Sequence, residues 1–192
     1  MIPVYQPLHT GRLILTPRDV TAQVDCERLA ARLGSIGLIG SPLSERSNAF
    51  ETGERFLDLV AFTGCAVQLD TRASAASDQF THVSLHGPHP EPRLLYGRNS
   101  RPPRCPECAK GLKTWRNQVA QAQPGKPPGY AVNTAKQRHP PGSGGWGQHA
   151  GVGRSFVHIE EVFPGEASPL STLLEALGQL GVGEWRYFYV QD

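Results

Sequence analysis

The most compact chemical signal in the chain is Cys105-Pro106-Glu107-Cys108. Two thiolates separated by two residues can grip a tetrahedral zinc ion from a tight turn. Arg104 before the pair and Lys110-Gly111-Leu112 after it complete the outline of the first knuckle of a zinc ribbon. A ribbon takes its remaining ligands from a second CxxC about 15–20 residues on, and no cysteine follows Cys108. The replacements are His139 and His149 downstream, with His82, His86 and His89 upstream. A site of Cys105, Cys108, His139 and His149 must order a glycine- and proline-rich span at about 1–2 kcal/mol of backbone entropy per residue. Zinc binding returns roughly 10–16 kcal/mol, so geometry decides. The expectation is a ribbon-shaped turn with reduced thiols and no cofactor, zinc being the alternative. C-P-x-C also occurs in dithiol redox enzymes, which set it after an apolar strand at a helix N-terminus, where the thiol pKa falls. Here Arg101-Pro102-Pro103-Arg104 precedes it, a loop, which leaves redox chemistry as the lesser alternative.

His82, His86 and His89 form H-x3-H-x2-H. On one strand His82 and His86 share a face about 13 Å apart at the usual rise per residue, too far to hold one ion, so solvated histidines are expected. Ser41 and Ser44 follow Gly40 in GLIGSPLS, but G-x-S-x-G, the P-loop and G-x-G-x-x-G are all missing. Gly151-Val152-Gly153-Arg154 reads as a glycine turn ahead of a strand, the wrong order for a phosphate cradle. No acid–base, nucleophile or phosphate constellation stands out, and the residues do not point to an enzyme.

Charge is the second signal. From Gly97 to Arg154 ten Lys/Arg stand against one acid, Glu107, so this stretch carries +9 and the rest of the chain −7. Arg98, Arg101, Arg104, Lys110, Lys113 and Arg116, with Trp115, Tyr130 and Trp146 among them, are the residue types of a nucleic-acid surface, where phosphates attract cations and bases stack on aromatics. The same charge suits docking on the chain's own acidic body or on an acidic partner.

These residues must be positioned by a chain of 192 residues with formal charge +2, 39% hydrophobic and 19% charged, a composition that excludes a solvated disordered chain and a membrane protein. Gly and Pro together make about a fifth of it, and RPPRCPEC, QPGKPPG and HPPGSGGWG cannot support long helices or central strands. The start, MIPVYQPLHTGR, lacks the basic and apolar regions of a signal peptide, which places the protein in the cytoplasm with no membrane partner and with thiols rather than disulfides.

RLILT reads as a strand. Thr16-Pro17-Arg18-Asp19 offers a cap, a first-turn proline and an acid three residues on, predicting a helix to about Leu33. GERFLDLVAF predicts a second helix and FTHVSLHG a strand alternating His82, Ser84 and His86 against Thr81, Val83 and Leu85. In RSFVHIEEVF, Val157 and Ile159 alternate with His158 and Glu160, as in a strand with one face on a core. Ser168-Pro169 then opens a helix with Leu170, Leu173, Leu174, Leu177 and Leu180 on one face. EWRYFYV closes as a strand whose aromatics fall on both sides, which predicts a central place. The fold class expected is α+β: a mixed sheet with helices and a C-terminal strand-helix-strand unit with parallel pairing, interrupted by a loop-rich, degenerate zinc-ribbon-like insertion. Residues 1–96 form the N-terminal part, 97–154 the insertion, and 155–192 complete the same body.

The order of these features resembles a family of uncharacterised bacterial proteins. The phrases that carry the likeness are Phe56 to Cys65, Phe80 to Leu85, Arg104 to Cys108 and, above all, Ala150 to Val190 with its FPGEA, LL and WRYFYV, together about a third of the chain. The resemblance implies a zinc ribbon completed by a second cysteine pair near Trp146, which this chain lacks, and it implies no activity. The function expected is that of a non-catalytic interaction protein with a protein partner, nucleic-acid binding through 97–154 being the alternative.

Overall fold

The computed structural model describes residues 11–63, 80–105, 109–111, 114–120, 130–131, 138–139 and 145–191. In chain order the elements are β1 (Arg12–Pro17), α1 (Cys26–Ser35), β2 (Ile39–Pro42), β3 (Ala49–Thr52), α2 (Phe56–Leu59), β4 (Val60–Phe62), β5 (Val83–His86) and β6 (Arg93–Tyr96). There follow α3 (Trp115–Ala120), the short β7 (Tyr130–Ala131) and β8 (Arg138–His139), β9 (Ala150–Gly153), β10 (Phe156–Glu160), β11 (Ala167–Pro169), α4 (Ser171–Gly178) and β12 (Trp185–Val190). The fold is α+β, as expected. Its framework is a six-stranded sheet in the order β12-β1-β10-β5-β3-β2. β10 and β12 run in the same direction, as the strand-helix-strand unit requires, but they do not pair. β1 lies between them, antiparallel to both, and every ladder of this sheet is antiparallel.

Strand alternation sorts the sheet into two faces. Leu13, Leu15, Val83, Leu85, Val157 and Ile159 join Leu29 and Leu33 of α1 and Leu173 and Leu177 of α4 in the main core, where burial of apolar surface at about 25 cal/mol per Å² binds helices to sheet. Two arginines of α1 pin the end of α4: Arg32 donates to the Ala176 carbonyl at 2.9 Å and Arg28 to the Leu180 carbonyl at 3.0 Å, satisfying groups that a helix terminus leaves open. On the opposite face Ile14, Phe156, Phe188 and Val190 form a second cluster with Leu95, under a ribbon in which β6 pairs with β9. A Cβ at Gly151 would run into the Phe188 ring, so glycine there is what lets the ribbon lie against the sheet. Beyond the ribbon a small separate core holds Cys105, Trp115, Trp146 and Ala150, with Trp115 and Trp146 edge to face at 5.1 Å. Among the described residues no helix is long and apolar enough to cross a membrane.

Several local expectations are corrected. α1 starts at Cys26, capped by Asp25, whose carboxylate accepts from the Arg28 amide at 2.7 Å. Thr16 and Pro17 stay in β1 opposite Arg186 and Trp185, and the Thr16 hydroxyl donates to the Ser155 carbonyl. Ladder bonds and a buried hydroxyl outcompete the local capping signal. The second helix is one turn long because Val60–Phe62 leaves it as β4 to pair with β11. The same pairing holds Ala167–Pro169 extended and delays α4 until Ser171. Gly151-Val152-Gly153 is strand β9, not a turn. β12 is at the end of the strand order rather than central. Its aromatics fall on both sides because helices cover one face and the ribbon the other, while the amides of Tyr189 and Arg98 tie its outer edge through Gln148 and Gln191.

Candidate metal centre

The registers of three neighbouring strands converge polar side chains on the face beside the ribbon. β10 lies between β1 and β5, with Arg12 opposite Glu160 and Ser84 opposite His158. Period-two alternation keeps Ser84, His86, His158 and Glu160 on one side. The Ser84 hydroxyl donates to Glu160 Oε1 at 2.8 Å, and His86 Nε2 donates to that hydroxyl at 2.9 Å. His158 Nδ1 is 3.3 Å from the same Oε1, and Arg12 Nε is 3.5 Å from Oε2. One donor atom from each of His86, His158 and Glu160 lies within 4.8 Å of the other two. The imidazoles are near-stacked, with centroids 4.1 Å apart at 33°, and Phe156 sets its edge against His158.

Burial shapes the charge of this cluster. His158 is 6% exposed, and its Nε2 has no hydrogen-bond partner among the described residues. Burial, and then the neighbouring His158, pull the His86 imidazole down to about 4. Burial pushes the Glu160 carboxyl up, but the hydrogen bond and charge of His158, then Arg12 and Ser84, outweigh it and hold the group at about 2. At neutral pH His86 is therefore an uncharged imidazole and Glu160 a carboxylate, the forms that bind cations. Nucleophilic use of Ser84 does not fit: its proton is directed to Glu160 and its lone pair is occupied by His86, whereas activation needs a base to accept that proton. What the arrangement can do is hold a cation. Two imidazoles and a carboxylate form a three-ligand set that leaves a coordination position open.

Expectation and structure differ most over the histidines. His82 and His86 do stay apart, but neither is simply solvated. His82 is buried, with Nδ1 bonded to the Phe80 carbonyl at 2.8 Å and Nε2 to Arg46 at 3.1 Å, a fully satisfied structural side chain. His86 finds its companions across the ladder. His158 and Glu160 were legible only as the polar positions of a strand, because their partners lie more than seventy residues away and register is set by long-range pairing.

The sequence motif at Cys105 sits elsewhere. Cys105 is buried in the small core, and its amide donates to the Lys110 carbonyl at 2.9 Å while Arg104 bridges Gly111 and Gly145. His149 is half-buried just before β9, its carbonyl accepting from Ser100. Cys108 and Lys113 lie outside the described residues, as does the side chain of His139. Arg98, Arg101, Arg104 and Lys110 are exposed. Arg116 is exposed as well, with its guanidinium 4.5 Å from the Trp115 ring centre and donating to the carbonyls of Gly97 and Ser100. Trp115 and Trp146 are buried, so neither offers the stacking platform expected of them.

No protein-family model, curated protein or solved structure matches the chain.

Proposed function

We propose that the chain is a divalent-metal-binding protein whose centre is His86, His158 and Glu160. The observation that carries this is the convergence of three donor atoms within 4.8 Å on the rigid middle of the sheet. Tetrahedral zinc with ligands at about 2.0–2.2 Å sets them roughly 3.3–3.5 Å apart, and His158 Nδ1 and Glu160 Oε1 already stand at 3.3 Å. A bound ion would take the place of the contacts that His86 makes with Ser84 and His158 with Glu160. Ser84 stays hydrogen-bonded to the carboxylate and Arg12 ion-paired with it, and His86, the most exposed of the three, gives the ion a way in. Nitrogen and carboxylate ligands suit zinc among the divalent ions. Bound there, the ion supplies Lewis acidity at its open position.

Equilibrium dialysis against zinc followed by elemental analysis tests the reading. One equivalent is expected in the natural chain, and Glu160→Gln and His158→Ala each lose it. Zinc retained at full stoichiometry in both variants overturns the assignment.

The exposed Arg98, Arg101, Arg104 and Lys110 favour a second reading, contact with nucleic-acid phosphates by the module between β6 and β9. With the tryptophans buried, binding is electrostatic: log affinity for duplex DNA falls by about 0.9 per phosphate contact per decade of salt. No binding at about 50 mM salt disposes of it. We place the protein in the cytoplasm, a compartment that keeps cysteines such as Cys26 and Cys105 reduced.

A further inference from the structure

We propose that the surface where Tyr96 ends β6 and Arg116 stands in the first turn of α3 binds single-stranded nucleic acid, stacking a base there; this rests on the phosphate reading given second above. The Arg116 guanidinium lies over the Trp115 ring, 4.5 Å from its centre, and 5.8 Å from the centre of the Tyr96 ring. Its Nη2 donates to the carbonyls of Gly97 at 2.9 Å and Ser100 at 3.2 Å, while Nε and Nη1 carry the remaining donors. A surface arginine usually gives up rotamer freedom when it grips a ligand. Here an indole and two carbonyls already hold it in place. Trp115 is buried and Arg116 exposed, so the guanidinium roofs the indole and turns its other side to solvent. Beside it Tyr96 is 38% exposed. Its ring stands edge to face with Trp115 at 5.3 Å, and its backbone is fixed in the ladder opposite Ala150. Arginine planes and tyrosine rings are the groups on which unpaired bases stack. The segment that follows Tyr96 supplies the cations for the backbone, with Arg98, Arg101, Arg104 and Lys110 exposed and Glu107 the one acid in sequence from Gly97 to Arg154. Base access decides between the two forms of nucleic acid. In a duplex the base faces are closed by stacking and pairing, so only phosphates reach this surface. A single strand offers its base faces as well, and the stack adds to the same electrostatic contacts.

The test is fluorescence anisotropy of labelled oligo(U) and oligo(dT) of about a dozen nucleotides, and of a duplex of the same length, titrated with the full chain at about 50 mM salt. The variants are Arg116→Lys, which keeps the charge and removes the planar fork, Tyr96→Leu, which removes the ring, and Tyr96→Phe, which keeps it; circular dichroism confirms that each is folded. Expected is that at least one of the single strands, the better of which identifies the sugar, binds at least tenfold tighter than the duplex. Arg116→Lys and Tyr96→Leu each weaken that strand at least fivefold and change duplex binding less than twofold, while Tyr96→Phe binds it as the natural chain does. Duplex bound as tightly as both single strands, or single-strand affinity unchanged in Arg116→Lys and Tyr96→Leu, overturns the stacking site and leaves the electrostatic reading standing. Failure of the natural chain to bind any of the three removes both.

Discussion

Two regions of this molecule offer metal-binding chemistry, and they are built in opposite ways. The pair Cys105 and Cys108 is close in sequence, and Cys105 sits in a small core of its own with Trp115, Trp146 and Ala150. The centre at His86, His158 and Glu160 has no sequence motif at all. It arises because β5 and β10 pair antiparallel with Ser84 opposite His158, deep in a sheet backed by Leu173, Leu177 and the strand residues of the main core. A motif advertises ligands but leaves their remaining partners to chance. A ladder advertises nothing, yet it holds the backbone of its ligands in register, which lowers the ordering cost when an ion arrives.

The largest effect expected concerns the platform. Leu173, fully buried between α4 and the sheet, should cost roughly 2–5 kcal/mol as Leu173→Ala, read by denaturant unfolding. Val119→Ala, at the half-buried edge of the module core, should cost less and leave the zinc content of the sheet centre unchanged. Equal losses in the two variants would erase the distinction between platform and module. Next comes the junction of the two regions. Gly151→Ala drives a methyl group into the Phe188 ring, and overpacking of this kind costs about 1–3 kcal/mol. An unchanged melting temperature would mean that the ribbon yields freely.

A smaller effect is the acid dependence of the metal-free protein. Folding lowers the His86 pKa from 6.5 to about 4, so the unfolded chain binds the proton more tightly and stability falls as pH drops from about 6.5 to 4. Folding lowers the Glu160 pKa from 4.5 to about 2. The stability that the carboxylate contributes is complete above 4.5 and is lost as pH falls toward 2. Unfolding followed with chelator present should show a shallower slope between pH 6.5 and 4 in His86→Asn than in the natural chain. Identical slopes would contradict the burial assigned to that imidazole.

Much of the platform was legible in the sequence, because β1, β5, β10 and the C-terminal strand-helix-strand unit each carry a period that burial on one face enforces. What could not be read is which segments pair. Thr16-Pro17 looks like a helix start until β12 claims it for a ladder, and Ser168-Pro169 looks like one until β4 does. The polar positions of β5 and β10 were visible as two separate alternations, and only the register turns them into a site. Cys105, by contrast, was conspicuous from its spacing alone, which says nothing of the buried surroundings that the fold gives it.

The most direct measurement crosses the two regions. Zinc content is determined for His158→Ala, for Cys105→Ser and for the natural chain, all purified without chelator and shown to be folded by circular dichroism. One equivalent in the natural chain, one in Cys105→Ser and none in His158→Ala is the predicted result. One equivalent that survives His158→Ala and disappears in Cys105→Ser would put the metal in the module and contradict the account.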